Sequence, residues 1–448
     1  MQLPAAFLQS LTGLPGYDAD AFVAVHQQAA APVSIRLNPR KPIPLPNGVT
    51  PVPWCRNGYY LPERPAFTLD PLLHAGAYYV QEASSMFLDE AVRQLLPADG
   101  PLRVLDLCAA PGGKSTLLRA ALPADSLLVA NEVIQSRVPI LQENLIKWGA
   151  CNTVVTHNDP RAFAQLPGFF DVLLVDAPCS GSGLFRRDVE AINEWSEANV
   201  ALCAARQQRI LADAWTTLRE GGLLLYATCS FSYQEDEAIL QWITQTLGAT
   251  PLPLQLQPGW GVVETATAHA FGYRFWPHRL AGEGFFLAAL QKTAGVDGRL
   301  PKQKATALPR RQELQELHAW VQNAHEYAWL YQGNRLAAVA PRWESAVHLL
   351  LQTLRVRYVG VEAGTFVRDA LLPDHALALS LLTNKQLPVV ELTREQALQY
   401  LRRQDVPLSN APRGWFLVAY GGYPLGWMKG LGNRVNNYYP KEWRIRMQ

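Results

Sequence analysis

Two cysteines close apolar, strand-like runs. Cys179, in Asp176-Ala177-Pro178-Cys179-Ser180-Gly181, follows Val172-Leu173-Leu174-Val175, and Cys229, in Ala227-Thr228-Cys229-Ser230, follows Leu223-Leu224-Leu225-Tyr226. In an open α/β sheet, ligands bind just outside the carboxyl ends of the strands, so both thiols are expected to face one crevice. A single thiol in such a place reads equally well as a small buried hydrophobe. A matched pair reads as a nucleophile and a helper in covalent, thiol-based catalysis. Spacing alone does not assign the two roles.

A third loop has a different chemistry. Val104-Leu105-Asp106-Leu107 runs into Cys108-Ala109-Ala110-Pro111-Gly112-Gly113-Lys114-Ser115, ahead of a helical pattern. Glycines let the backbone approach a ligand, and a helix N-terminus supplies free N–H donors. A Walker A loop needs glycine where Cys108 stands, and the dinucleotide fingerprint G-x-G-x-x-G is absent, so both phosphate-binding readings fail. The second strand ends at Asn131-Glu132, where a carboxylate can accept from ribose hydroxyls, and the third is followed by Asn158-Asp159, placed to accept from an adenine amine. Either acid alone is more often a helix cap or a surface charge. Acids after successive strands, beside a Gly-rich loop, suit an adenosine ligand without phosphates, such as S-adenosylmethionine.

The elements that must position these loops are short apolar runs over 102–107, 127–130, 153–156, 172–175 and 223–227, alternating with amphipathic patterns such as 134–148 and 197–219. Strand–helix alternation argues for a doubly wound, largely parallel sheet. A late apolar run, 285–290, is expected as a further edge strand. The stretch 295–311 is polar and aperiodic and reads as a linker.

At 448 residues the chain exceeds the size of one growing core, so several domains are expected. Composition is that of a globular protein, 49% hydrophobic and 17% charged. No apolar run approaches the ~20 residues that span a bilayer, no secretory leader is read at the N-terminus, and six scattered cysteines form neither a disulfide framework nor a metal pair. A cytoplasmic monomer with available thiols and no membrane contact is expected. The net charge of +2 is uneven: residues 1–292 hold 20 Lys+Arg against 26 Asp+Glu (−6), and residues 293–448 hold 20 against 12 (+8). A basic C-terminal part beside a mildly acidic remainder suggests a polyanion-binding module joined to a catalytic one.

Read together, Asp106–Lys114, Asp176–Gly181 and Thr228-Cys229-Ser230 resemble the RNA 5-methylcytosine methyltransferase family, as do Ile35-Arg36-Leu37-Asn38, Gln81–Ser85, Ala204–Gln208 and Ser232–Glu237. The tail, with Gly422–Lys429 and Arg434–Pro440, resembles the bacterial 16S rRNA methyltransferase F group. The resemblance implies a Rossmann-like class I S-adenosylmethionine-dependent methyltransferase domain (101–292). Before it comes an N-terminal RNA-binding α+β extension (1–100); after it come a linker (293–311), an intermediate α/β domain (312–372) and a PUA-like RNA-binding domain (373–448).

It further implies that Cys229 is the nucleophile, adding to cytosine C6, that Cys179 assists product release, and that Asp176 holds the base near N3 and N4 beside the cofactor. In DNA cytosine methyltransferases the Pro-Cys thiol attacks, which leaves Cys179 as the alternative nucleophile. The cofactor would rest on Cys108, Ala109, Ala110, Pro111, Gly112, Gly113, Lys114, Glu132, Asp159 and Asp176, with no metal. Lys114 or local N–H donors are expected to favour the Cys229 thiolate. A target cytosine must be single-stranded or flipped out. Arg36, Asn38, Gln81 and Glu82, with the basic-aromatic tail (Arg434, Tyr438, Tyr439, Lys441, Trp443, Arg444, Arg446), are expected to contact RNA. The implied partner is 16S rRNA or the 30S subunit; tRNA, or RNA binding without catalysis, are the alternatives.

Overall fold

Five apolar strands pair in parallel: Arg103–Asp106, Leu127–Asn131, Thr153–Thr156, Phe170–Asp176 and Leu218–Thr228. This is seen in a computed structural model that describes residues 3–28, 30–267, 270–295, 298–304 and 307–447. Their spatial order is fifth, fourth, first, second, third. Helices cover both faces, so the strands carry continuous Val/Leu/Ala runs rather than an apolar–polar alternation. The order reverses between the first and fourth strands, which opens a crevice at their carboxyl ends. The Gly-rich loop and both cysteine loops leave the sheet at that end.

The sheet is longer than the sequence reading allowed. Phe285–Lys292, expected at an edge, is interior: Phe286 pairs with Thr228 on one side and Arg274 on the other. The hairpin Val263–Thr267/Ala270–Phe275 extends the sheet beyond it. At the opposite edge Val356–Val359 pairs antiparallel with Thr153–Thr156. The region 312–372 is therefore not separate from the catalytic sheet; it lends a strand that satisfies edge N–H and C=O groups which would otherwise lie open. The rest of that region forms its own sheet, Ala328–Gln332, Arg335–Val339, Val361–Val367 and Ala370–Pro373. In the 295–311 stretch, described residues adopt no helix or strand before Arg311; residues 296, 297, 305 and 306 lie outside the described set.

A small sheet precedes the catalytic one (Thr50–Pro51, Gly58–Leu61, Val33–Leu37, Tyr78–Val80) and another ends the chain (Val389–Glu391, Gly414–Tyr420, Tyr423–Gly430, Val435–Asn437). Lys41 joins them. Its ammonium, only 4% exposed, donates to Ala75 O, Lys147 O and Leu379 O at 2.8, 2.7 and 2.8 Å. These carbonyls lie at the C-terminal ends of helices Pro71–His74, Val138–Trp148 and His375–Leu379, where backbone acceptors lack intrahelical partners and attract a cation. Among the described residues no helix is long and apolar enough to cross a membrane.

Candidate active site

The fourth and fifth strands run side by side, with Asp176 opposite Ala227, so the loops that follow them start together. Cys179 Sγ and Cys229 Sγ stand 3.1 Å apart, within sulfur hydrogen-bonding distance. The contact requires backbone to touch backbone: Gly183 N donates to Cys229 O at 2.9 Å. A Cβ on Gly183 would meet Gly284 O at 2.4 Å and Cys229 O at 2.8 Å. The bond to the Cys229 sulfur, then burial, push the Cys179 thiol well above its ordinary value.

Lys114 Nζ donates to Asp176 Oδ2 at 2.8 Å and lies 5.1 Å from the centre of the Phe285 ring. Burial is the largest single effect and works against its charge, but Asp176, together with Cys229 and Asp106, outweighs it, and Lys114 is held above the usual lysine range. The expected role of Lys114 beside Cys229 is thus shared with an ion pair to Asp176, which lies across the same crevice.

The Gly-rich loop turns through Gly112 in the left-handed region (φ 113°) and enters helix Gly113–Ala121. Ser115 donates to Asp106 Oδ2 at 2.6 Å, and the fully buried Asp106 carboxyl is pushed up to about 7. Asp106 Oδ1 has no hydrogen-bond partner. Lys114 is held by Asp176, and Arg137 donates to Ala110 O while facing Glu132, so both cations at the loop are already engaged and the loop offers N–H groups. That donor set fits a neutral adenosyl group better than a phosphate.

Glu132 is 3% exposed and accepts from Ile134 N at 2.8 Å through Oε1, with Arg137 at 3.6 Å from Oε2. Asn131 links strand ends, donating to Leu107 O and Asn158 O and accepting from Asn158 N. Asp159 does the work of a cap: it accepts from Arg161 N at 3.2 Å and has the Arg161 and Arg209 guanidiniums at 3.5 Å each. Cys108 is partly buried against the lower core, and burial holds its thiol well above the usual range.

Three residues expected at the RNA surface are interior. Arg36 (1% exposed) donates to Gln81 Oε1 at 2.7 Å and Thr116 Oγ1 at 2.6 Å, bracing the first turn of the cofactor helix. Asn38, fully buried, donates to Gly76 O and Trp148 O, and Gln81 is the acceptor for Arg36. The partly buried Glu82 gathers the backbone N–H groups of Ser84, Ser85 and Glu283. In the tail, Tyr439 (1% exposed) packs on Tyr400 and His375 and is a core residue, while Trp443 is half-buried against His375. Outward remain Arg434 and Lys441, Tyr438 against the Trp415 ring at 4.3 Å, and two adjoining clefts. Arg402, Arg444 and Arg446 line one, Arg403, Asn436 and Tyr438 the other, with Gln404 common to both.

Sequence reasoning passed over the network behind the cysteines. Arg274, 1% exposed, pairs with Asp236 at 3.3 Å and with Glu237, while Thr228 donates to Asp236 Oδ1 at 2.6 Å, fixing the residue before Cys229. The acids were legible as the run Glu235-Asp236-Glu237 after the cysteine loop, but their cation comes from a strand far along the chain.

Three family models match the chain: "16S rRNA methyltransferase RsmB/F" over 93–291, "N-terminal domain of 16S rRNA methyltransferase RsmF" over 3–83 and "Methyltransferase RsmF PUA domain" over 387–445. Ribosomal RNA small subunit methyltransferase F of Klebsiella pneumoniae is 33% identical over 98% of this chain and 96% of its own length. The protein of the same name in Erwinia tasmaniensis is 32% identical, with the same shares covered. Among solved structures, a methyltransferase homologue from Pyrococcus horikoshii is 27% identical with a TM-score of 0.51, covering 65% of this chain and all 100% of its own. NSun6 from Pyrococcus horikoshii, solved with SFG, shares the fold at 19% identity and a TM-score of 0.53, covering 65% of this chain and 98% of its own.

Proposed function

The chain belongs to the 16S rRNA methyltransferase RsmB/F family, and from that premise we propose that it methylates C5 of a cytosine in small-subunit ribosomal RNA through a covalent thiol adduct. It is an S-adenosylmethionine-dependent RNA methyltransferase with a PUA-like domain. The single observation that carries the finer reading is the 3.1 Å approach of Cys179 and Cys229 beside the Lys114–Asp176 pair.

Cytosine C5 is a weak nucleophile, and a covalent route divides the difficulty into two easier steps. The Cys229 thiolate adds to C6, forming a C–S bond and moving an electron pair toward C5. S-adenosylmethionine supplies the methyl group that C5 takes. Loss of that methyl would leave S-adenosylhomocysteine. The C5 proton then passes to solvent, and the electron pair of its C–H bond re-forms the C5–C6 double bond. The C–S bond breaks and the thiolate returns to Cys229, with Cys179 assisting that elimination from 3.1 Å away. Asp176 holds N3 and N4, and Lys114 orients Asp176. The cofactor rests on residues 108–114 with its ribose at Glu132 and its adenine toward Asp159. The unpartnered Asp106 Oδ1, and a loop whose Lys114 and neighbouring Arg137 are both already engaged, support that reading.

The outward arginines of the C-terminal clefts suit a phosphate backbone, and Tyr438 on Trp415 suits an unstacked base. Methyl incorporation into 30S particles, free 16S rRNA and tRNA tests the substrate. Label in either ribosomal substrate, located at cytosine C5 by nucleoside analysis, is expected; label in tRNA alone would overturn the assignment.

A further inference from the structure

A carboxylate lies beneath both cysteine loops. Glu235 is fully buried, and each of its oxygens is shared between groups from different segments. Oε1 accepts from Ser180 N at 2.7 Å and from Gln207 Nε2 at 3.3 Å; Oε2 accepts from Ser180 Oγ at 2.5 Å and Ser230 Oγ at 2.6 Å. Ser180 follows Cys179 and Ser230 follows Cys229. One side chain therefore holds the residue next to each sulfur. Among the described residues no cation pairs with Glu235, and all four bonds come from neutral donors. A buried carboxylate is costly unless its acceptors are filled, so this one stabilises the arrangement only while the two loops stay together.

We propose that Glu235 is a positioning residue that clamps the two sulfurs at their working distance and sets a buried negative charge behind the Cys179 loop. Backbone contacts at Gly183 and Gly284 also bring the loops together, but they add no charge behind the Cys179 loop. A negative charge set against the Cys179 loop disfavours a thiolate there. Burial and the Cys229 sulfur act on Cys179 in the same direction. Among the described residues, the other titratable groups around this point include Tyr226 beneath, Asp176 at the end of the neighbouring strand with Lys114 paired to it, Asp236 beside Glu235, and Cys203 on the covering helix. Tyr226 donates to Glu235 O and Gln207 Oε1, so it braces the clamp without neutralising it. The inference rests on the two-cysteine reading of the site, in which one thiol must attack while the other waits.

The test uses the full-length protein with Glu235→Gln and Glu235→Asp. Cys179 alkylation by iodoacetamide, read by peptide mass spectrometry across pH, reports the charge; kcat and KM for RNA report the spacing. Glu235→Gln keeps size but not charge, so Cys179 should alkylate at lower pH than in the wild type. Its kcat should fall by up to ~10²-fold, the scale of a misplaced reacting group, with KM little changed. Glu235→Asp keeps the charge but shortens the reach, so kcat should fall while the alkylation profile stays near the wild type. S-adenosylmethionine affinity, set at other strand ends, should hold in any folded variant. If Glu235→Gln does not fold, the aspartate variant carries the test, and a wild-type kcat there overturns the clamp. An unshifted Cys179 profile in folded Glu235→Gln overturns the charge effect. If Cys179→Ala accumulates no RNA adduct the two-cysteine reading fails, while the alkylation profile of the wild type and Glu235→Gln still decides the role of Glu235.

Discussion

Cys179 and Cys229 bring their sulfurs to 3.1 Å from loops that leave neighbouring parallel strands. The pairing of Asp176 with Ala227 sets the loops level, and small residues at Gly183 and Gly284 let the backbones meet. Sheet register, rather than sequence proximity, thus creates the site.

Asp176, which holds the base in the proposed mechanism, is itself held by Lys114 at 2.8 Å. Asp176→Asn keeps the shape but removes the charge that favours N3 protonation. Its kcat should fall ~10²-fold or more, in the range general acid–base groups contribute, with S-adenosylmethionine binding reduced much less. Single-turnover methylation beside calorimetric cofactor titration checks this; equal losses in both would move Asp176 to a purely cofactor role.

Glu132 and Asp159 should differ as cofactor contacts. Glu132 is buried and has one carboxylate oxygen without a close partner, whereas Asp159 already caps Arg161 N and faces two arginines. Glu132→Ala should weaken S-adenosylmethionine by ~10-fold or more, the worth of a hydrogen bond to a charged group. Asp159→Ala should weaken it by less. Calorimetry on each variant measures the difference, and the reverse order would place the ribose elsewhere.

Arg274 pairs with two buried acids, Glu237 and Asp236, the latter still held well above the usual carboxylate range by burial. Arg274→Met would leave both uncompensated, at a cost of about 3–5 kcal/mol. Urea unfolding should show a midpoint lowered accordingly, and a loss below about 1 kcal/mol would mean the acids take up protons or water at little cost.

His375 sets a pH dependence. Burial, with Lys147 and Lys41 nearby, lowers its folded value to about 3 from the ordinary 6.5. The unfolded chain binds this proton first as pH falls, so the contribution is complete above about 6.5 and is lost progressively toward about 3. The fall in thermal midpoint between neutral pH and about pH 5 should be smaller in His375→Leu than in the wild type. Differential scanning at both pH values decides it, and parallel falls would show that His375 does not titrate in this range.

The parallel strands were legible because each is a continuous apolar run ended by a chemically distinctive loop, as at 102–107 and 172–175. The place of Phe285–Lys292 was not, since an apolar strand reads the same at an edge or between partners. Nor was Val356–Val359, whose partner lies some two hundred residues earlier. Arg36 and Asn38 misled because a long polar side chain is expected in solvent, yet acceptors gathered from distant segments bury both completely. Glu235 was hidden for the same reason: its partners come from three segments of the chain.

The most direct measurement is a denaturing gel of labelled 16S rRNA incubated with S-adenosylmethionine and wild-type, Cys179→Ala or Cys229→Ala protein. Cys179→Ala should accumulate a covalent RNA–protein adduct, and Cys229→Ala should give neither adduct nor methylated product. An adduct that survives loss of Cys229 would contradict the account and make Cys179 the nucleophile.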